Sequence, residues 1–139
     1  MPVKTDSPAC EAWTLLYELA LAEKPRLNAI AGDFEIKPQQ AMVLRLLAEP
    51  QTMGELAERL GCDNSNVTGL VDRLEQRGLV ERRPAEHDRR AKLLVLTHEG
   101  ERVRSEMSKR MRQAPEALAA MPAAEQRALR DLLRRALGR

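Results

Sequence analysis

Apolar residues between positions 63 and 78 recur at the spacing of one helical face. The stripe falls at i, i+3, i+4 and i+7, which predicts an amphipathic helix: Val67, Leu70, Val71 and Leu74. Asp63 is placed to cap the free amide groups at the start of this helix, and Gly78 to take the left-handed turn that ends it. The opposite face is polar, with small side chains first and arginines last.

The apolar period shortens directly after this helix. Two short β-prone runs, residues 79–80 and 92–96, are separated by a polar stretch that contains Pro84. This pattern predicts two strands joined by an exposed loop. The loop is basic, because the segment from Arg82 to Lys92 holds five cations and two anions, a local net charge of +3. A polar-faced helix that fits a DNA major groove, followed by a cationic hairpin, is the layout of a winged helix-turn-helix.

Helical patterns flank this segment on both sides. A first helix is predicted over residues 9–31, where Pro25 should kink or split it by removing a backbone donor. Residues 1–8 are polar and contain two prolines, so a frayed tail is expected there. Pro38 opens a second helix that runs to about residue 48.

Three further helices are predicted from capping residues and prolines. Thr52 and Glu55 form a capping box that starts a third helix ending at Gly61. Beyond the hairpin, one long helix is expected from residue 98 to residue 120, bent at Pro115, and Pro122 opens the last helix.

The terminal helices carry apolar stripes, although the winged-helix core needs only residues 38–97. A single copy would leave much of that leucine surface in water. A two-fold dimer would bury it and would set two recognition helices about 34 Å apart, one turn of DNA. We therefore expect one unit, 1–139, mainly α with a small β-hairpin wing (α+β). Its DNA-binding core, 38–97, lies between dimerisation helices at 9–31 and 98–139.

The charge distribution says more than the net charge. A net charge of +2 is too small to prove a nucleic-acid partner. Residues 1–60, however, hold six Lys/Arg and nine Asp/Glu, a net of −3, so the positive surplus lies beyond residue 60. This asymmetry is typical of a protein with one surface that meets phosphates.

Targeting signals and cysteines point to an ordinary intracellular protein. The N-terminus lacks the apolar core of a signal peptide, and no apolar run approaches the roughly 18 residues of a membrane span. Two cysteines do not make a disulfide framework. The cytoplasm is therefore the expected compartment, with no membrane partner.

Side chains on the polar helix face are the candidates for base reading: Ser65, Asn66, Thr68, Gly69, Asp72 and Arg73. Asn reads adenine with two hydrogen bonds, Ser and Thr meet base edges or phosphates, and Arg contacts guanine or phosphate. Asp72 is expected to orient Arg73 or an arginine of the wing. The alternative, an ordinary solvated helix face, is disfavoured by the basic hairpin beside it. The wing candidates are Arg83, Arg89, Arg90 and Lys92, with Arg89 or Arg90 at the tip.

These segments resemble the MarR-type (multiple-antibiotic-resistance) transcriptional regulators. The resemblance is carried by LAERLG at 56–61, NVTGLVDRLE at 66–75, GLV at 78–80, DRRAK at 88–92 and LT at 96–97. It implies a homodimer, a wing arginine that enters the minor groove, and Asp88 holding an arginine in place. Gly69 departs from the pattern, because similar proteins often carry a basic residue there.

The resemblance also implies candidates for regulation. Family members often bind small aromatic or phenolic acids between the dimerisation helices and the winged domain, which singles out Trp13, Tyr17, Met42, Arg45, Leu46, Met107 and Met111. Arg45 is the expected partner of a carboxylate, and ordinary core packing is the alternative. An oxidant-sensing branch uses an early first-helix cysteine, which makes Cys10 the redox candidate. The alternative is a packed or surface thiol, and Cys62 is taken as structural.

No enzyme activity, metal or cofactor is expected. His87 and His98 lack metal-ligand spacing with the cysteines, and no nucleophile–base pattern is present. The predicted function is a homodimeric, sequence-specific transcriptional regulator. It would be a ligand- or stress-responsive repressor on a palindromic, inverted-repeat operator in double-stranded DNA. The alternative is a winged-helix protein-interaction module without specific DNA readout, which the low net charge and Gly69 would support.

Overall fold

The computed structural model describes residues 7–139, so most of the predicted frayed tail lies outside the described residues. The fold is mainly helical with a small antiparallel sheet, which confirms the predicted class. In chain order the elements are α1 (Pro8–Asp33), α2 (Pro38–Leu46), β1 (Gln51–Thr52), α3 (Met53–Leu60), α4 (Asn64–Gln76), β2 (Val80–Ala85), β3 (Asp88–Leu96), α5 (His98–Met111), α6 (Glu116–Ala119) and α7 (Ala123–Ala136).

The core lies where α2, α3, α4 and the base of the hairpin meet α5 and the end of α1. Its fully buried side chains are aliphatic or thioether groups, among them Val43, Leu44, Leu56, Val67, Val71, Leu74, Leu94 and Met107. The predicted stripe of α4 accounts for three of these positions. No helix of the described part of the chain is both long and apolar enough to cross a bilayer.

Helix α1 runs unbroken for 26 residues, so the predicted split at Pro25 is wrong. Pro25 lies on an exposed part of α1. Water can therefore solvate the Leu21 carbonyl that lacks a backbone donor, and the helix continues. At the start of α1, the Ser7 hydroxyl accepts a hydrogen bond from the Cys10 amide at 3.2 Å.

Local capping chemistry sets the ends of α3 and α4. Thr52 and Glu55 form both bonds of the predicted capping box, and Gly61 ends α3 in the left-handed region at φ 64°. Gly78 takes the predicted left-handed turn after α4, at φ 71°. Asp63 occupies the N-cap position of α4, but its side chain makes no capping bond. The predicted role of that carboxylate is therefore wrong, although the position is right.

The sheet is larger than the two predicted strands. Its order is β1-β3-β2, and β1 is a third strand that pairs Gln51 with Leu94. The hairpin loop shrinks to the two residues Glu86 and His87, because β2 and β3 extend along the polar stretch. Pro84 lies in β2, which is an edge strand and therefore tolerates a residue without an amide donor, and the register shifts just after it.

Two prolines divide the C-terminal part of the chain into three helices. The predicted long helix ends at Met111 rather than residue 120, so Pro115 terminates the helical run instead of bending it. Pro115 and Pro122 are the N-cap residues of α6 and α7. Pro cannot donate the amide bond that a continuing helix requires, and each of these two residues adopts an extended backbone.

The exposed side of α5 carries a chain of ion pairs. Arg102 bonds Glu99 at 2.5 Å and Glu106 at 3.1 Å, and Arg104 bonds Glu101. The hydrogen bond from Arg102 lowers the pKa of Glu99, and Arg104 lowers the pKa of Glu101 in the same way. Because these ion pairs are exposed to solvent, each of them contributes little to the free energy of unfolding.

Large apolar side chains on α1 and α7 lie in solvent in the single chain. Trp13 is 68% exposed and Tyr17 56% on α1, and Leu132 is 54% exposed on α7. Helix α7 has no buried residue. The stripes that the sequence predicted are present, and within the described chain they are covered only in part, at half-buried residues such as Leu27, Leu129 and Leu133.

Candidate nucleic-acid interface

One face of α4 is buried and the other is presented to solvent. Val67, Val71 and Leu74 fix the inner face. The outer face carries Ser65, Asn66, Gly69 and Arg73 as exposed residues and Thr68 and Asp72 as half-buried ones. All six predicted base-reading positions therefore lie off the buried stripe of one helix.

The hydroxyl of Thr68 is already used as a donor. Its Oγ1 donates to the Asn64 carbonyl at 2.8 Å within the same helix. The remaining lone pairs can accept a hydrogen bond, and the methyl group can contact a thymine methyl. Thr68 is therefore suited to accept from an adenine or cytosine amino group rather than to donate to a phosphate.

A shallow concavity of about 340 Å³ lies along the start of α4. It is lined by Ser65, Asn66, Gly69, Leu70 and Arg73 together with Gln39 and Cys62. Sequence reasoning did not single out Gln39. Its signal was weak, since it is one exposed amide in the first turn of α2, and only the crossing of α2 and α4 brings it to this surface.

The base of the wing is tied to α4 by Arg82. Its guanidinium bonds Asp72 at 2.6 Å and Glu75 at 3.1 Å. Two partners were predicted for Asp72: Arg73 or an arginine of the wing. In the structure its partner is the wing residue Arg82, and not Arg73. These ion pairs hold the hairpin at a set angle to α4.

The distal wing carries cations without carboxylate partners. Arg83 pairs with Glu81. Among residues 7–139, no salt bridge involves Arg89, Arg90 or Lys92. Their charges remain available to a phosphate backbone or to the negative potential of a minor groove.

Asp88 acts on the backbone of the wing. The resemblance implied that Asp88 holds an arginine in place, and its Oδ1 accepts a hydrogen bond from the backbone amide of Arg90 at 2.9 Å. A side chain that binds the amide two residues ahead forms an Asx turn. Asp88 therefore shapes the strand that carries Arg89 and Arg90.

The predicted effector residues do not form one site. Met42, Arg45 and Met111 line a cavity of about 200 Å³ with Lys24, Leu27, Asn28, Ala31, Pro38 and Ala41. Trp13 and Tyr17 do not line it but lie next to each other, with ring centroids 6.4 Å apart. Met107 is fully buried in the core, and Leu46 packs against that core. Within a single chain the seven residues therefore do not line one cavity, because periodicity along each helix does not say where two helices cross.

The two cysteines occupy different environments. Cys10 is half-buried in the first turn of α1, and the Tyr17 ring, two turns further along, lies beside Trp13 with the two planes tilted by 32°. Cys62 is exposed at the edge of the α4 concavity. Within the described residues, no group of three His, Cys, Asp or Glu side chains is placed to hold a metal ion.

Comparison with known proteins agrees with this geometry. The MarR family model matches residues 36–92. The uncharacterized HTH-type transcriptional regulator YdgJ of Bacillus subtilis is 33% identical over 127 residues, which cover 87% of this chain and 76% of YdgJ. Other curated relatives match over less of their length: the chain spans 41% of YfiV and 58% of FarR.

Solved structures match over nearly the whole chain. A MarR family protein from Bacillus stearothermophilus is 31% identical with a TM-score of 0.81, and the match covers 94% of this chain and 93% of that one. Wild-type MarR from E. coli is 28% identical with a TM-score of 0.75, over 89% and 95% of the two chains. The chain therefore belongs to the MarR family of DNA-binding transcriptional regulators, which are not enzymes.

Proposed function

We propose that this protein is a homodimeric, sequence-specific repressor that binds an inverted-repeat operator. The observation that carries the proposal is the exposed polar face of α4 beside a wing whose Arg89, Arg90 and Lys92 have no carboxylate partner in the described chain. Each subunit would set α4 in a major groove and its wing in the flanking minor groove. Residues 38–97 would form the DNA-binding core, and residues 9–31 and 98–139 would form the dimerisation helices.

The exposed apolar faces support a second copy as the partner. Helix α1 carries four carboxylates and two cations, a net of −2, whereas α7 carries four arginines and two carboxylates, a net of +2. Opposite charge and matching apolar stripes favour packing of α1 of one subunit on α7 of the other. The cleft of about 560 Å³ beside α7, lined by Leu118, Leu129, Leu133 and others, would receive apolar side chains of the partner.

The cavity at Arg45 supports a small acidic effector. Its walls are apolar at Leu27, Met42 and Met111, and Lys24 and Arg45 supply two cations. About 200 Å³ is less than the space of a drug-sized ligand, so a single-ring aromatic or phenolic acid is the ligand class that fits. Binding there would alter the contact between α1 and α2 and thereby the spacing of the two recognition helices, α4 of each subunit.

Repression would follow where the bound dimer covers a promoter and excludes polymerase. The relative BadR of Rhodopseudomonas palustris is described as a transcriptional activatory protein, so the direction of regulation needs its own test. Transcription in vitro from a promoter that carries the operator should fall as the protein is added. Action on the chromosome would place the protein in the cytoplasm. The module without DNA readout gains no support from the relatives, which are named as transcriptional regulators.

The test begins with selection of an operator from random-sequence duplex DNA by the wild-type protein. Replacing Arg89 and Arg90 together by Ala should weaken binding to the selected duplex by about tenfold or more, since each lost groove contact removes about 1–3 kcal/mol. A gel shift with competitor DNA measures the effect.

The matched control replaces two exposed cations by Ala: Lys109 in the last turn of α5 and Arg112 just after it. This control loses the same two charges away from the wing and should bind the duplex as the wild type does. Equal affinity of the Arg89/Arg90 double variant and the wild type would show that the wing does not grip DNA. Absence of any selected sequence would refute specific readout.

A further inference from the structure

Arg77 ties the C-terminal end of α4 to the turn that follows α1. Arg77 is the residue at which α4 ends. Its Nη1 donates to the Glu35 carbonyl at 2.5 Å and its Nη2 to the Phe34 carbonyl at 3.0 Å. Two donors on one planar guanidinium therefore bridge two successive carbonyls, which fixes direction as well as distance.

The turn that receives Arg77 is itself held rigidly. It follows α1, and the amides of Phe34 and Ile36 both bond the Ala31 carbonyl, at 3.1 and 3.0 Å. Glu35 adopts the left-handed region at φ 57°, and its carbonyl and that of Phe34 accept the two bonds from Arg77. Backbone bonds on the near side thus leave the turn little freedom to follow Arg77.

Helix α5 braces the same turn from another side. Arg110 bonds the Asp33 carboxylate at 2.6 Å, and its guanidinium carbon lies 5.8 Å from the centroid of the Phe34 ring. The turn is therefore part of a frame formed by α1 and α5. Arg77 connects this frame to α4.

The other contacts of α4 are apolar packing and polar ties to the wing and to α5. Val71 and Leu74 pack into the core, but dispersion contacts have little directional preference. Arg82 ties α4 to the wing, and Thr97 at the start of α5 bonds the Gly78 carbonyl just beyond α4. Arg77 is the side chain that ties α4 to the turn after α1. The two bonds of Arg77 restrict the orientation of α4 at its C-terminal end, and Ser65 and Asn66 lie at the opposite end of this helix.

A small tilt at this end is large at the other. A helix of 13 residues is roughly 20 Å long at 1.5 Å per residue. A tilt of about 5° around Arg77 would therefore move Ser65 and Asn66 by about 1.5 Å, more than the roughly 0.5 Å range of a good hydrogen-bond distance. Base reading depends on such distances, whereas attraction to phosphates does not.

We propose that Arg77 is a positioning residue for sequence readout, which sets the tilt of α4 through the Phe34–Glu35 carbonyls without touching DNA. The inference rests on the proposed function. It predicts that loss of the guanidinium fork lowers specific affinity and leaves non-specific affinity unchanged. A phosphate contact at the same position would lower both.

The test compares the selected operator duplex with a scrambled duplex of the same composition by fluorescence anisotropy across a salt series. Arg77→Gln removes the fork and the charge, and Arg77→Lys keeps the charge and loses the planar fork. Both variants should bind the operator about fivefold or more weakly, on the scale of one lost base contact. Both should bind the scrambled duplex as the wild type does, with an unchanged slope of log K against log salt.

Two controls separate the outcomes. Arg112→Gln changes an exposed arginine that also follows the last residue of a helix, α5, and should alter neither affinity. Arg90→Gln should lower both affinities and reduce the salt slope. Circular dichroism melts establish that the variants fold, and Arg77→Lys provides the milder change should Arg77→Gln lose structure.

Three results would overturn the inference. Unchanged operator preference in both Arg77 variants would remove the positioning role and leave the proposed function standing. Weaker scrambled-duplex binding in Arg77→Gln, restored in Arg77→Lys, would make Arg77 a phosphate contact. A wild type that prefers no sequence would refute the proposed function, and this inference with it.

Discussion

Two helical glycines, Gly100 and Gly69, have opposite surroundings. A Cβ on Gly100 would lie 1.9 Å from the Leu79 carbonyl oxygen and 2.9 Å from its carbon. That carbonyl also accepts a bond from the Thr97 amide at 3.1 Å, so it cannot move alone. The first turn of α5 thus packs directly on the backbone that precedes β2.

Gly100→Ala should therefore strongly destabilise the fold. Forcing one methyl group into close-packed backbone costs about 3 kcal/mol, which should appear as a lower free energy of unfolding in urea at fixed protein concentration. A variant as stable as the wild type would contradict the close approach of α5 to Leu79.

At Gly69 an added Cβ would meet nothing within 4 Å, so Gly69→Ala makes the same substitution without a clash. Replacing a mid-helix glycine by alanine should raise the free energy of unfolding by about 1 kcal/mol. Operator affinity then separates two roles for Gly69: a large loss would mean that DNA approaches the backbone closely there, and no loss would mean one contact fewer. The urea transition and the gel shift measure the two effects independently.

At the scale of elements, Thr97 joins the wing to α5. Its Oγ1 accepts from the Gly100 amide at 3.0 Å as the N-cap of α5, and it donates to the Gly78 carbonyl at 2.6 Å. One hydroxyl thus caps α5 and joins the start of that helix to Gly78, the residue just beyond α4. This geometry fixes where the hairpin returns to the body.

Thr97→Ala should lower the free energy of unfolding by about 2 kcal/mol, the sum of a lost cap and a lost hydrogen bond. Thr97→Ser keeps the hydroxyl and is the matched control, with an expected change below about 0.5 kcal/mol. Equal destabilisation by Ala and Ser would mean that the methyl group, and not the hydroxyl, carries the effect.

At the scale of the whole molecule, the exposed stripes of α1 and α7 and their opposite charges are the surfaces that the proposed dimer would cover. In that dimer the two recognition helices would face DNA as a pair only when two copies are joined, so dimerisation and operator affinity should be linked. The proposed dimer buries Leu132 and Leu137, which are 54% and 68% exposed in one chain.

Leu132→Glu should therefore convert a dimer into a monomer in sedimentation velocity and should abolish operator binding at concentrations where the wild type binds. A carboxylate in an apolar interface has no partner for its charge. Leu132→Met, which keeps an apolar side chain of similar volume, should remain dimeric. A wild type that sediments as a monomer at all concentrations would contradict the homodimer.

Features encoded within a few residues could be predicted from the sequence alone. The stripe of α4, the capping box at Thr52 and the left-handed glycines at 61 and 78 follow from helical period and local backbone chemistry. The family resemblance in segments 56–61 and 66–75 has the same origin, because these motifs are short and contiguous. The division between buried and exposed faces of α4 followed from them.

Tertiary structure decided what depends on residues far apart in the chain. Strand β1 is two residues long and exists because Leu93 and Leu94 lie beside it, and the wing strands extend through polar residues because backbone pairing, and not side-chain burial, holds them. The partners of Arg77 and Arg82 and the separation of Trp13 from Arg45 are set by how helices cross. Periodicity along one element states which face is apolar, but not which distant residue that face will meet.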